Sequence, residues 1–153
     1  KEASILKKHY NISENYQKMI YALTIGDIIN FSSYSDSPCH IIFRLIIKSL
    51  NHIDASNVKY LDYYYLFFNI QLLIYLGYHP ILEKCYNCNN QIISGVFDKK
   101  NGQLLCSLCS KHQEEIYSES IKLMQILAKT HINQISDYFI FPEKILLKIL
   151  KII

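Results

Sequence analysis

Two short stretches decide the fold of this chain: Cys85-Tyr86-Asn87-Cys88 and Cys106-Ser107-Leu108-Cys109. Seventeen residues separate the two pairs, which gives the pattern C-x2-C-x17-C-x2-C. This spacing is typical of a four-cysteine zinc site, because two residues between ligands let a tight turn point both sulfurs at one ion. Four thiolates complete a tetrahedral coordination sphere and leave no position for a reactive water. The pattern therefore predicts a structural Zn2+ whose ligands are Cys85, Cys88, Cys106 and Cys109.

Paired cysteines also occur as disulfides and as redox-active dithiols. Disulfides are typical of small secreted chains, whereas half of this chain is hydrophobic and its start, from Lys1 to Ser4, does not read as a signal peptide. A redox C-x-x-C usually stands alone near a βαβ unit and is not repeated. Both interpretations stay open as alternatives to zinc. The fifth cysteine, Cys39, lies in an apolar run, and we expect it to be a buried thiol.

Helical patterns flank the cysteine segment on both sides. Ser13 is expected to cap a helix that starts near Glu14, and Gly26 is expected to weaken or end this helix. Its apolar positions at helical spacing are Tyr16, Met19, Ile20 and Leu23. A second helix is predicted from Pro38, with Ser37 as its cap, to about Ile53. Further helices are predicted around Ile121 to Ala128 and from Pro142 onward.

The most apolar stretch of the chain runs from Tyr63 to Leu76. It is shorter than the ~20 residues that a membrane span requires, and Asn69 and Gln71 interrupt it. A helix that is apolar on every side is typical of the buried centre of a bundle. We therefore expect a central helix from about Tyr60 to Leu76, stopped by Gly77, and no membrane partner.

The cysteine segment itself, residues 84–112, has the pattern of a β-hairpin. Asn101-Gly102 lies between two apolar runs, which is a strong hairpin signal. Asn89 and Asn90, after the first pair, suit the left-handed backbone that a metal-binding turn needs. The predicted fold is therefore mainly α: a helical bundle with an inserted four-cysteine zinc ribbon.

Four lysines of the ribbon form a candidate contact to nucleic acid: Lys84, Lys99, Lys100 and Lys111. They would meet phosphate groups, although a solvated hairpin tip is the favoured explanation of these lysines. The net charge of the whole chain is only +3, which does not identify a nucleic-acid-binding protein. No recognisable nucleophile and base, phosphate-binding loop or catalytic metal motif occurs, and we therefore expect no enzymatic activity.

The region from Tyr63 to Cys109 resembles a known family. It contains Phe67-Phe68-Asn69-Ile70-Gln71-Leu72-Leu73, then Leu76-Gly77-Tyr78-His79-Pro80, Leu82, the first cysteine pair, Phe97, Gly102 and the second pair. This order and spacing is similar to the RecO recombination-mediator family, in which a helix ending in Leu-Gly-Tyr-x-Pro runs into the first pair. The chain departs from the family at Asn89, where glycine is usual, and in having one arginine, Arg44.

The resemblance implies that residues 1–153 are a carboxy-terminal helical domain with a zinc ribbon at 84–112, and that an amino-terminal OB-fold lies outside this chain. Proteins of this family are DNA-repair mediators and not enzymes. They bind single- and double-stranded DNA, anneal strands, and act with RecR and single-strand binding protein to load RecA. The implied partners are thus RecR, the acidic tail of single-strand binding protein, and DNA, the last mostly through the OB-fold. The implied location is the bacterial cytoplasm, at the nucleoid.

A rival function is a generic zinc-ribbon interaction module of the transcription or translation machinery. It is disfavoured because the ribbon is predicted inside a helical domain instead of standing alone. A thiol redox enzyme is a third class, and zinc stoichiometry would distinguish it from the other two.

Overall fold

Helices make up most of the chain that the computed structural model describes, which is residues 7–32, 40–78, 81–98, 102–110 and 118–150. The elements are α1 (Tyr10–Glu14), α2 (Tyr16–Ser32), α3 (His40–Ala55), a 3-10 turn (Val58–Tyr60), α4 (Leu61–Tyr75), β1 (Gly95–Asp98), β2 (Gln103–Cys106), α5 (Ser118–Lys129), a 3-10 segment (Ile132–Tyr138) and α6 (Glu143–Leu150). The predicted fold class, mainly helical with an inserted hairpin, is confirmed.

The chain divides into two compact units, and the first, Lys1–Tyr65, contains α1 to α3 and the start of α4. Asp54 of α3 joins the three helices. Its carboxylate accepts the Ile12 N–H at 3.0 Å, and its carbonyl accepts from Lys18 Nζ at 2.6 Å. The Lys18 side chain is buried, so this hydrogen bond satisfies an ammonium group that would be costly to leave without a partner. The buried apolar side chains of this unit are Ile25, Leu45, Ile53, Leu61, Tyr63 and Tyr64.

The first predicted helix begins at a different cap. Ser13 lies inside the short helix α1, and the side chain of Asn15 caps α2 by accepting the Lys18 N–H at 3.1 Å. Helix α2 also continues through Gly26 to Ser32, so the expectation that Gly26 ends it is wrong. A helical glycine costs only about 1 kcal/mol, and the packing of the neighbouring Ile25, which is fully buried, outweighs that cost.

Helix α2 packs with a face that the apolar periodicity does not identify. The buried residues Lys18 and Ile25 lie opposite the predicted apolar positions. Those positions, Tyr16, Met19, Ile20 and Leu23, are 72%, 37%, 42% and 62% exposed. Because α2 carries apolar side chains on opposite faces, its pattern predicts a helix but not the side that is buried.

The second predicted helix corresponds to α3. The structure describes it from His40, and Leu45 and Ile53 are buried on its apolar side. The predicted cap Ser37, the start at Pro38, and Cys39 lie outside the described residues.

The end of α4 is fixed by Gly77, as predicted. The φ angle of Gly77 is +90°, a left-handed conformation that glycine adopts without steric cost. The Tyr78 N–H donates to the Leu73 carbonyl at 2.9 Å, and the Gly77 N–H donates to the Ile74 carbonyl at 3.1 Å. This pair of hydrogen bonds is a Schellman motif, which satisfies the last carbonyls of the helix.

The second unit, Leu66–Ile153, is built around the rest of α4, which is buried on nearly every side. Its helical core consists of Leu66, Phe67, Phe68, Ile70 and Leu72 of α4, Ile121, Leu123, Met124 and Leu127 of α5, and Ile145, Leu146 and Ile149 of α6. The 3-10 segment, which the sequence analysis did not predict, adds the buried Ile132 and Ile135. Among the described residues, no helix has both the length and the apolar character needed to cross a membrane.

Gln71 of α4 has a specific structural task. Its side-chain Nε2 donates to the carbonyls of Leu127 and Ala128 at 2.9 and 3.2 Å. These carbonyls belong to the last turn of α5, where no further helical N–H is available to bind them. A polar residue that breaks the apolar run of α4 therefore caps the neighbouring helix.

Replacing Gln71 with Met, which keeps the shape of the side chain, should lower the free energy of unfolding by about 1–3 kcal/mol, because one buried and one partly buried carbonyl lose their donor. The control is Gln17→Met on the exposed side of α2, which should change stability by less than about 0.5 kcal/mol. Urea unfolding of both variants measures the difference. A urea midpoint of the Gln71→Met variant equal to that of the Gln17→Met variant would contradict the capping role.

Candidate metal centre

The sulfur atoms of Cys85, Cys88, Cys106 and Cys109 converge on one point. All four Sγ atoms lie within 4.8 Å of one another. The Sγ atoms of Cys88 and Cys106, which belong to different pairs, are 3.7 Å apart. A tetrahedral zinc ion with Zn–S bonds of ~2.3 Å requires an S–S separation of about 3.8 Å. The four predicted cysteines therefore come together with spacing that fits a four-coordinate metal.

The same distances bear on the alternatives. A disulfide needs sulfurs about 2.05 Å apart, and all four cysteines are free thiols. A redox dithiol pairs the two sulfurs of one C-x-x-C, whereas here sulfurs of both pairs are neighbours. The geometry favours a metal site over both alternatives.

A β-hairpin carries the second cysteine pair back to the first. Strands β1 and β2 pair antiparallel, with Gly95 opposite Cys106 and Asp98 opposite Gln103. At the turn, Gly102 has a φ of +65°, and its N–H donates to the Asp98 carbonyl at 2.8 Å. The hairpin that Asn101-Gly102 predicts is confirmed, although residues 99–101 lie outside the described part of the chain.

The turn around the first cysteine pair depends on Asn89. Its φ angle is 62°, and its N–H donates to the Cys85 carbonyl at 2.8 Å. The Cys85 N–H in turn donates to the Asn90 carbonyl at 2.8 Å. Asparagine is the residue that best tolerates the left-handed conformation after glycine. The prediction for Asn89 is confirmed, while Asn90 does not have a positive φ.

Helix α5 holds the stem of the ribbon. The Leu82 side chain is buried, and its carbonyl accepts from Gln125 Nε2 at 2.7 Å. The next residue, Glu83, is paired with Lys129, whose ammonium holds the pKa of the Glu83 carboxyl below its usual value. The Glu83 carbonyl also accepts the Ile92 N–H at 3.0 Å. The chain thus enters the ribbon from a fixed position on α5.

The buried Cys85 is the thiol most prepared to ionise. Burial raises the pKa of the Cys85 thiol. N–H groups of Cys106, Cys88 and Asn87 point at the sulfur and outweigh this effect, so that the pKa falls to about 6. The Cys106 N–H lies 3.3 Å from this sulfur. Backbone N–H groups directed at sulfur stabilise a thiolate, which is the form that binds metal.

The sulfurs of Cys88 and Cys109 resist ionisation because of their neighbours. The Asn87 amide lowers the pKa of Cys109, yet the Cys106 thiol and burial outweigh it and raise the pKa to about 12. The Asn90 N–H likewise lowers the pKa of Cys88, but the Cys85 sulfur and burial raise it above the ordinary value. Thiolates this close together are stable only with a cation between them. An all-sulfur donor set at this spacing suits zinc.

The four lysines predicted to contact nucleic acid are placed only in part. Lys84 is exposed beside the first cysteine pair, where it forms an antiparallel bridge with Gln91. Lys99, Lys100 and Lys111 lie outside the described residues.

Gly95 is a structurally required residue that the sequence analysis did not identify. A Cβ atom at this position would lie 2.3 Å from the Leu105 carbonyl oxygen, so only glycine fits between the strands. The signal available in the sequence was a glycine inside an apolar strand, which often marks a close approach of two backbones.

Comparison with known proteins identifies the family. A sequence model of the family described as "Recombination protein O C terminal" matches residues 13–153. The chain belongs to this RecO carboxy-terminal family. The resemblance drawn from Gly77, Tyr78 and the cysteine pairs is thereby confirmed.

Individual RecO relatives are distant but match most of the chain. A DNA repair protein RecO of Syntrophomonas wolfei is 24% identical over 134 residues, which is 86% of this chain and 53% of the relative. A RecO protein of Caldicellulosiruptor saccharolyticus is 25% identical over 140 residues, which is 88% of this chain and 55% of the relative. A RecO protein of Pelobacter propionicus is 27% identical over 114 residues, which is 74% of this chain and 46% of the relative. The chain spans about half the length of the curated relatives it matches.

Replacing Gly95 with Ala should separate β1 from β2 and displace Cys106, the residue opposite Gly95. We expect the ribbon to be destabilised by about 1–3 kcal/mol and to release bound zinc to a chelator faster. The matched control is Gly26→Ala in α2, where a Cβ atom meets nothing within 4 Å and should stabilise the helix by about 0.5–1 kcal/mol. Unchanged zinc release in the Gly95 variant would contradict the requirement for glycine.

Proposed function

We propose that this chain is the carboxy-terminal helical domain of a DNA-repair and recombination mediator, with a structural zinc ribbon at residues 84–112. The observation that carries the proposal is the family match over residues 13–153, within which four sulfurs lie within 4.8 Å of one another. The relatives are named DNA repair protein RecO. A free-standing zinc-ribbon module of transcription or translation is disfavoured, because the family match includes the flanking helices.

The proposed cofactor is one Zn2+ bound by Cys85, Cys88, Cys106 and Cys109. Four sulfur ligands close the coordination sphere, so the metal has no site for an activated water. Its contribution is to hold the two cysteine turns and the hairpin together. We therefore propose a binding protein without catalytic activity. Zinc-dependent nuclease activity that is lost in the Cys109→Ser variant would contradict this.

The zinc proposal predicts one zinc per chain in the purified protein. Replacing Cys106 with Ser should abolish zinc binding and loosen residues 85–109, because metal ligation and folding of the ribbon are coupled. The helices should largely persist in the circular dichroism spectrum, since α4, α5 and α6 have many buried apolar side chains of their own. Metal analysis of the Cys39→Ser variant provides a control that should keep its zinc. Full zinc retention after both Cys85 and Cys88 are changed to Ser would refute the ligand assignment.

The proposed partners are RecR, the acidic tail of single-strand binding protein, and DNA. DNA contacts are expected mostly from an OB-fold outside this chain, with Lys84, Lys99, Lys100 and Lys111 adding phosphate contacts. In this role the protein would assist RecA loading and strand annealing in the bacterial cytoplasm, at the nucleoid. An acidic peptide that ends in an aromatic residue requires an apolar recess beside a cation.

A recess beside α5 has that chemistry. It has a volume of about 190 Å3 and is lined by Ile81, Leu82, Glu83, Gln125, Ala128 and Lys129. The Ile81 side chain is 49% exposed and offers an apolar wall, and the Lys129 ammonium lies at the rim. A peptide carboxylate would compete with Glu83 for Lys129, so we expect the site to be weak when tested alone.

Fluorescence anisotropy with the tail peptide tests this site. We expect a dissociation constant in the micromolar range, about −8 kcal/mol, that rises with salt. Replacing Lys129 with Gln should weaken peptide binding about threefold, whereas Lys122→Gln, an exposed lysine on the same helix outside the recess, should have no effect. Equal effects of both variants would exclude the recess, and absence of peptide binding would exclude the partner.

A further inference from the structure

The net positive charge of this chain arises in its ribbon, which has few acidic residues. Residues 84–112 contain four of the 16 Lys and Arg residues and one of the 13 Asp and Glu residues, so this segment alone accounts for a net charge of +3. The remaining residues balance to zero. A Zn2+ ion with four thiolates contributes two negative charges and leaves the ribbon positive. The ribbon then keeps one net positive charge, which favours contact with an anionic partner.

Tyr86 is an exposed aromatic residue at the centre of this segment. Its side chain is 60% exposed, so it adds little to any core. Its backbone, in contrast, is held firmly. The Tyr86 N–H donates to the Leu104 carbonyl of β2 at 2.9 Å, and the residue lies between two candidate metal ligands, Cys85 and Cys88. The ring is thus presented to solvent from a rigid turn, which lowers the entropic cost of binding a ligand to it.

The residues that flank Tyr86 in the sequence include a lysine and several amides. Lys84, Asn89, Asn90 and Gln91 are all exposed. The nearest carboxylate in sequence, Glu83, is paired with Lys129 and contributes little repulsion. A protein-binding hot spot usually surrounds its tyrosine with apolar side chains. An aromatic ring beside a lysine and several amides is instead typical of surfaces that bind unpaired nucleotides.

We propose that Tyr86 stacks on an unpaired base of single-stranded nucleic acid while Lys84 contacts the adjoining phosphate. The inference rests on the proposed DNA-repair function and adds to it a defined contact on the ribbon. Stacking on an aromatic face does not depend on base identity, which suits a protein that acts on any sequence. A base in a duplex is already stacked on its neighbours, so the contact selects single strands.

The test compares binding of three probes by anisotropy at low salt: an oligothymidine, an abasic oligonucleotide of the same length, and a duplex. Replacing Tyr86 with Ala should weaken oligothymidine binding about tenfold, or ~1.4 kcal/mol, and leave the weaker abasic and duplex binding unchanged. Tyr86→Phe keeps the ring and should stay within about twofold of the unmodified protein. Tyr86→Leu keeps apolar bulk without an aromatic face and should behave like the Ala variant.

One further variant is a control, and a second tests the phosphate contact. Leu108→Ala removes a side chain that is 91% exposed on the second cysteine turn and should not alter binding. Lys84→Gln should weaken all three probes together and reduce the dependence of binding on salt, because it removes a phosphate contact. Zinc content and circular dichroism must match the unmodified protein in every variant, which separates loss of a contact from loss of the ribbon.

Each outcome decides the inference. Unchanged oligothymidine binding by Tyr86→Ala overturns it while leaving DNA binding by the chain in place. Equal losses with abasic and single-stranded probes also overturn it, because the role would then not involve bases. Loss of tail-peptide binding in the Tyr86 variants, with DNA binding retained, assigns the surface to a protein. No binding of any nucleic acid by the unmodified chain overturns the inference together with the proposed lysine contacts.

An oligonucleotide containing 5-iododeoxyuridine should crosslink to the peptide that carries Tyr86, and a crosslink confined to other peptides overturns the assignment.

Discussion

Convergence of four sulfur atoms is the constraint on which the ribbon depends. Sulfurs within 4.8 Å of one another cannot all carry negative charge unless a cation lies among them. The thiols of Cys85 and Cys109 differ in how readily they ionise. Backbone N–H groups lower the pKa of the buried Cys85, whereas neighbouring thiols raise the pKa of Cys109. A cation bound among the sulfurs would supply the charge that lets them ionise together.

The helical part of the second unit gives this cluster a fixed base. Gln125 and Lys129 of α5 bind Leu82 and Glu83, the last residues before the ribbon. Helix α5 is itself capped by Gln71 of α4. A path of buried or paired polar groups thus runs from the central helix through α5 to the first cysteine turn. The ribbon needs this support because its hairpin has only two strands, which are marginally stable alone.

Local chemistry determined which features the sequence could predict. Gly77, Asn89 and Asn101-Gly102 act within a few residues of themselves, through left-handed backbone conformations and turn hydrogen bonds, and their predictions hold wherever the structure describes them. The cysteine spacing is equally local in its logic, since each pair needs one tight turn. The family resemblance used the same residues, because the stop at Gly77 and the first cysteine pair follow each other directly.

Features that depend on distant partners could not be read in this way. The pattern of α2 has apolar residues on two faces, and only the packing around Ile25 shows which one is buried. Asn15 and Ser13 are equally good caps by residue type. The helix breaks between α1 and α2, close to the contact between Asp54 and the Ile12 N–H, and the Asn15 side chain caps the helix that follows the break. Gly95 is required by an oxygen atom ten residues away, and Gln71 by carbonyls more than fifty residues away.

The helices and the ribbon differ in charge and in how they are stabilised. Outside residues 84–112 the acidic and basic residues balance, whereas within the ribbon the balance is positive. The ribbon buries Ile92, Val96 and Leu104 and leaves Tyr86, Ile93 and Leu108 exposed. So few buried side chains stabilise a two-stranded hairpin only weakly, and a metal bound by the four sulfurs would supply the missing stability. The exposed side chains are not part of that core, and they would therefore be free to contact a partner.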